Sequence, residues 1–132
     1  SNLETLKKFI KGTDELLKEG NFILFYPEQS MWWNYRKPKP LKPGAFKFAA
    51  RNKVPVLPCF ITMEDSDIIG EDGFPVQEYT IHILKPIYPK VELDVQENED
   101  YLRIENYNAW KKVYESNYKE PLRYLYPAKV SL

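Results

Sequence analysis

Glu28 follows the apolar run Phe22-Ile23-Leu24-Phe25-Tyr26 and Pro27, and Lys42-Pro43-Gly44 opens an amphipathic stretch shortly afterwards. A carboxylate leaving a buried strand is placed with little freedom. A helix start presents unpaired backbone N–H groups and the positive end of the helix dipole, both of which attract an anion. Gly44, lacking a side chain, lets a ligand approach that first turn closely. Arg36, Lys37 and Lys39 stand on the loop between the two points. Glu28, Arg36, Lys42 and Gly44 are therefore candidate residues for binding a polar, phosphate-bearing ligand. A solvated basic loop is the competing reading.

The other residue types capable of chemistry read more plainly. A single cysteine, Cys59, excludes an internal disulfide and a multi-thiolate metal site. Within an apolar strand and beside Pro58, it reads as a buried, inert thiol. The single histidine, His82, alternates with Ile81 and Ile83 and reads as a strand residue. Glu64, Asp65, Asp67, Glu71, Asp72 and Glu78 form an uninterrupted acidic run without calcium-loop spacing, so a solvated hairpin is expected and no metal.

Net charge is zero, yet every charge from Met31 to Lys53 is positive and every charge from Glu64 to Glu78 is negative. The balanced total argues against nucleic acid as partner. A local basic segment can still meet a small anion or an anionic membrane surface.

These residues need a scaffold to position them. The length of 132 residues suits one domain spanning 1–132. Leu3, Leu6, Ile10, Thr13 and Leu17 recur at helical spacing, and Gly20 supplies a stop, predicting a helix over 3–19. Residues 22–26 are apolar throughout, as in a parallel strand buried on both faces. Pro27 to Pro43 holds four prolines and two tryptophans and reads as a long ordered loop.

Pro43 suits the first turn of a helix reaching Asn52, with Phe46, Ala49 and Ala50 inward. Val54 to Ile61 predicts a second strand, interrupted by Pro55 and Pro58. Strand, helix, strand implies a right-handed parallel βαβ unit. A half-exposed strand at 80–83 and a C-terminal helix through Leu102, Tyr107, Trp110, Tyr114 and Tyr118 complete the chain. The expected class is α/β: a mixed sheet with a parallel βαβ core flanked by helices. No run of about 18 apolar residues is present, so no span of a bilayer is expected.

Three blocks carry a resemblance. Phe25-Tyr26-Pro27-Glu28-Gln29-Ser30 resembles the Phe-Pro-Glu-Gly-Thr-Arg block of the lysophosphatidic acid (1-acylglycerol-3-phosphate) acyltransferase family. Lys42-Pro43-Gly44-Ala45 resembles that family's Lys-x-Gly-Ala/Ser helix start. Val54-Pro55-Val56-Leu57-Pro58 resembles its Val-Pro-Ile-Val-Pro strand. Order and spacing agree over about residues 3–61, so the chain looks like the C-terminal part of a larger acyltransferase domain with a partial glycerolipid-acyltransferase fold.

The resemblance implies that Glu28 and Ser30 help hold the acceptor. The acyl donor would be a thioester on coenzyme A or acyl carrier protein, and no further cofactor is implied. It also implies a role in phospholipid biosynthesis and a cytoplasmic location, with the full-length protein held at the membrane's cytoplasmic face.

Two departures bear on the acceptor. Gln29 replaces the usual Gly, and Met31 replaces the Arg of the block, leaving Arg36 or Lys42 to meet a phosphate. Trp32 and Trp33 either line an acyl path, touch membrane or pack the loop. The larger departure is catalytic. The family's His-x4-Asp, whose His takes the acceptor proton, lies upstream of the Glu block, and no histidine precedes Glu28. No catalytic residue is expected in this chain, which alone should not transfer acyl groups. Apolar surface left exposed by absent upstream elements would drive dimerisation. A non-catalytic module binding phosphate or anionic membrane is the alternative.

Overall fold

The computed structural model describes residues 1–30 and 36–124. The expectations placed on Met31, Trp32 and Trp33 lie outside the described residues. Three helices and one two-stranded sheet make up the described fold: α1 (Asn2–Lys18), α2 (Gly44–Asn52), β1 (Cys59–Ile69), β2 (Pro75–Ile83) and α3 (Val95–Tyr118). Among the described residues no helix is long and apolar enough to cross a membrane.

Ser1 caps α1 in a box with Glu4, and Gly20 follows its end at φ 84°, a left-handed geometry that glycine adopts without strain. The helix packs against α2, with the Phe9 and Phe48 rings edge to face. Phe9 sets its ring against Phe48 at 5.9 Å. The Asp14 carboxylate accepts from Arg51 at 2.6 Å and from Asn52 at 2.7 Å. The Arg51 hydrogen bond holds the Asp14 carboxyl below its usual value. Much of α1's apolar face nonetheless remains uncovered, Leu3, Leu6, Phe9 and Leu16 among it.

The core lies further along the chain. Phe46, Ala49 and Ala50 of α2 pack with Phe60 of β1 and with Leu102, Trp110 and Tyr114 of α3. The tyrosine and tryptophan stripe predicted for the C-terminal helix is therefore core. That helix begins earlier than its apolar period suggests. Asp94 and Glu97 form a reciprocal capping box, with Glu97 N donating to Asp94 Oδ1 at 2.8 Å and Asp94 N to Glu97 Oε2 at 2.9 Å. Buried Asn98 then fastens the preceding turn, accepting from Lys90 N at 2.8 Å and donating to Lys90 O at 2.9 Å.

β1 and β2 form an antiparallel hairpin in which Ile61 faces Ile81 and Met63 faces Tyr79, with a register shift between Asp65 and Ile69. The acidic run forms the far end of this hairpin, as expected. Alternation assigns the two faces. Phe60 and Thr62 are buried toward α3, the Phe60 ring lying 5.5 Å from Trp110. Ile61, Tyr79, Ile81 and Ile83 are exposed on the other face. Cys59, expected to be buried, is exposed as well, because it sits one position out of phase with Phe60.

The sheet differs from the expected parallel core. Residues 21–26 carry no ladder among the described residues. Between Val54 and Pro58 the pairing reduces to an isolated antiparallel bridge between Val56 and Ile87, with reciprocal bonds of 2.9 and 2.8 Å. Pro55 and Pro58 have no N–H to donate, which limits any ladder there. The described fold is thus mixed α/β with an antiparallel sheet.

Candidate functional site

The end of the 22–26 segment and the start of α2 are tied together. Lys42 N–H donates to the Pro27 carbonyl at 2.8 Å. One residue on, the Glu28 carboxylate accepts from the Lys39 backbone N–H at 2.6 Å. Lys39 then reaches back with its side chain, its Nζ standing 2.6 Å from Ser30 Oγ. Glu28, Ser30, Lys39 and Lys42 therefore share one side of the fold, held by bonds across the neck of the loop. Burial raises the Glu28 carboxyl above its ordinary value, against the lowering effect of the Lys39 N–H bond and charge.

The start of α2 adds donors. Its N-cap is Pro43, which makes no side-chain cap, leaving the first-turn N–H groups to solvent or ligand. A Cβ placed on Gly44 would meet nothing within 4 Å. The space in front of that turn is open, and Lys42 is exposed at its mouth. Chemically, this end of α2 offers an anion several N–H donors and a cation beside a carboxylate suited to a hydroxyl.

Arg36 goes elsewhere. Its guanidinium lies 3.6 Å from Asp65 of β1 and 5.7 Å from the centre of the Tyr118 ring of α3. It links the loop to the hairpin and α3, whereas Lys39, absent from the sequence-derived candidates, bonds directly with Glu28 and Ser30.

Tyr124 is a second residue that sequence reasoning missed. Its hydroxyl donates to the Pro38 carbonyl at 2.8 Å, next to Lys39, and receives the Tyr107 hydroxyl at 3.5 Å. Burial raises the Tyr124 hydroxyl far above the ordinary tyrosine range, so it stays a donor. Lys37 bonds the Arg123 carbonyl and lies over the Tyr124 ring at 5.6 Å. The segment after α3 thus fixes the loop that fixes Glu28. Pro38-Lys39-Pro40 marked a stiff loop, but no sequence signal marked the partner eighty-six residues away.

Gln29 explains one departure from the motif. Its φ is 63°, with its N–H donating to the Tyr26 carbonyl at 3.0 Å. The turn demands left-handed backbone at the position where the resembled block has glycine.

The remaining candidates for chemistry are engaged or isolated. His82 Nε2 and Thr62 Oγ1 are 2.8 Å apart on β2 and β1, a cross-strand contact. Among the described residues no group of His, Cys, Asp and Glu could hold a metal ion.

The family model described as Acyltransferase matches residues 1–62, a stretch that contains α1, the Glu28 loop, α2 and the start of β1. Over those residues the chain is similar to acyltransferases. No curated protein and no solved structure matches the chain.

Proposed function

We propose that this chain is the acceptor-binding part of an acyltransferase that moves an acyl group from a thioester of coenzyme A or acyl carrier protein to a lysophospholipid such as 1-acylglycerol-3-phosphate. The observation that carries this reading is the neck of the loop. Glu28 and Lys39 meet at one bond, Pro27 and Lys42 at the next, and the uncapped start of α2 stands alongside. The family match over residues 1–62 covers the same elements.

In this reading the acceptor phosphate sits at the first turn of α2, held by its N–H groups and by Lys42 and Lys39. Glu28 and Ser30 orient the acceptor's hydroxyl end. A base takes the hydroxyl proton and the oxygen attacks the thioester carbonyl. The tetrahedral intermediate then expels the thiolate, which leaves protonated as the free thiol, and an ester remains. His82 is bonded to Thr62 on the hairpin, so the base is assigned to a His-x4-Asp pair outside these 132 residues. Residues 22–26 and 54–58 would then be parallel strands of the complete sheet. The complete protein would work at the cytoplasmic face of a membrane, where its acceptor resides.

The test is acyl transfer by the full-length protein, with several lysophospholipids and both thioester donors. Glu28→Ala is expected to lower kcat/KM about a hundredfold or more, because misplacement of a reacting hydroxyl by about an ångström costs that much. The variant should keep the wild-type melting profile. Unchanged turnover removes Glu28 from the site. Phosphate-headgroup binding without transfer to any acceptor would favour a binding module instead.

A further inference from the structure

Lys39 stands between two prolines, Pro38 and Pro40. Their rings fix φ on both sides, and Pro40 biases Lys39 itself toward extended backbone. Neither proline has an N–H, so the Lys39 N–H is the one backbone donor of this tripeptide. It goes to the Glu28 carboxylate at 2.6 Å. The carbonyl of that same peptide unit belongs to Pro38, a buried residue, and it accepts the Tyr124 hydroxyl at 2.8 Å. One planar peptide group is thus gripped at both ends, by Glu28 at its nitrogen and by Tyr124 at its oxygen. Turning the plane to loosen one bond loosens the other. The bonds also reinforce each other, because a donor on the carbonyl polarises the amide and makes its N–H a better donor.

Tyr124 is itself held from the core. Leu122 is buried, and its N–H donates to Glu115 Oε2 at 2.8 Å past the end of α3. Lys119 closes the helix in left-handed backbone at φ 55°, and Glu120 receives the Tyr114 hydroxyl. The Tyr107 hydroxyl reaches that of Tyr124 at 3.5 Å. A line of hydrogen bonds therefore runs from α3 through Tyr107, Tyr124 and the Pro38–Lys39 peptide to Glu28.

We propose that Tyr124 is a positioning residue of the acceptor site: by holding the Pro38–Lys39 peptide it sets where Glu28 and Lys39 meet the acceptor. This rests on the acceptor-site reading above, and it extends the site past the matched residues 1–62 to the segment after α3. The electrostatics agree. Burial first, then the Tyr107 hydroxyl and then the Glu28 charge hold the proton on Tyr124, so the hydroxyl remains a donor and feels the carboxylate it helps to place. A hydroxyl that merely packed the loop would act alike with or without Glu28. One that acts through the shared peptide would not.

The experiment is a double-mutant cycle in the full-length protein, with 1-acylglycerol-3-phosphate as acceptor and an acyl-coenzyme A or acyl carrier protein thioester as donor. Tyr124→Phe keeps the ring that Lys37 lies over and removes only the donated hydrogen bond. Its kcat/KM for the acceptor is expected to fall about fivefold to tenfold, as the loss of one ordinary hydrogen bond implies, with KM for the thioester unchanged. In a Glu28→Ala background the same change should cost less than about twofold, since its path ends at the missing carboxylate. Tyr107→Phe should act in the same direction by a smaller factor, and it carries the same comparison if melting curves show that Tyr124→Phe has lost the fold. Equal losses in both backgrounds, or unchanged transfer in folded Tyr124→Phe, would overturn the inference and leave the reading of the site standing. Unchanged transfer in Glu28→Ala would instead remove that reading, and the inference with it.

Discussion

Two extended apolar stretches meet opposite fates in this fold. Residues 59–69 are paired along β2, with one face closed by α3. Residues 22–26 are at least as rich in strand-forming residues, yet among the described residues no ladder reaches them, and of these five only Ile23 and Phe25 are partly covered. Intrinsic preference is similar in the two, so what separates them is the supply of neighbours. β1 is followed closely by β2, which pairs with it as a hairpin needing little loop closure. The 22–26 segment has α1 before it and the long loop after it, and a parallel partner must come through a crossover. The part of the chain that carries the candidate site is therefore its least paired part, and α3 and its sequel hold that site from a distance.

The largest expected effect tests this asymmetry directly. Phe60→Ala removes a ring 6 % exposed against Trp110 and is expected to cost about 3–5 kcal/mol, as other buried aromatic truncations do. Phe25→Ala removes a half-buried ring that stacks on Phe48 and should cost about 1–2 kcal/mol. Denaturant midpoints of the two variants, with unchanged slopes, provide the comparison. Equal losses would mean that the 22–26 segment is anchored as firmly as the hairpin.

The same asymmetry decided what could be read from sequence. α1 and α2 follow from local period and turn residues, and their bounds lie close to those expected, whereas the strands expected at 54–61 and 80–83 are found at Cys59–Ile69 and Pro75–Ile83. The start of α3 was missed because Asp94 and Glu97 precede any apolar period, although a capping box with that spacing is itself a sequence signal. Cys59 was misread because composition was used where phase was needed. Buried Phe60 forces its neighbour to the opposite face. Glu28, Ser30, Lys42 and Gly44 were legible as a group because a motif spans them. Lys39 and Tyr124 were not, since one acts through its backbone N–H and the other from beyond α3.

A smaller effect contrasts two carboxylates by their pH response. Burial raises Glu28, so between its unfolded value near 4.5 and its folded one the native state binds more proton than the unfolded. Its contribution to stability therefore grows as pH falls through that window and is lost as pH rises through the raised value. Asp14, lowered from 3.8 by Arg51, acts in reverse: its contribution is present above 3.8 and lost as pH falls through the lowered value. Unfolding measured against pH should change slope in opposite senses in Glu28→Gln and Asp14→Asn. Identical profiles in the two variants would contradict one of these environments.

The smallest effect concerns the turn after Glu28. Gln29 holds φ 63°, which costs a non-glycine residue about 1 kcal/mol. Gln29→Gly relieves that strain but adds freedom to the unfolded chain, which takes back roughly 0.5–1 kcal/mol. The net change expected is a gain no larger than about 0.5 kcal/mol, readable as a slight rise in melting temperature. A loss of more than about 1 kcal/mol would mean that the Gln29 side chain supports the turn, and the site would then depend on a residue that the resembled motif lacks.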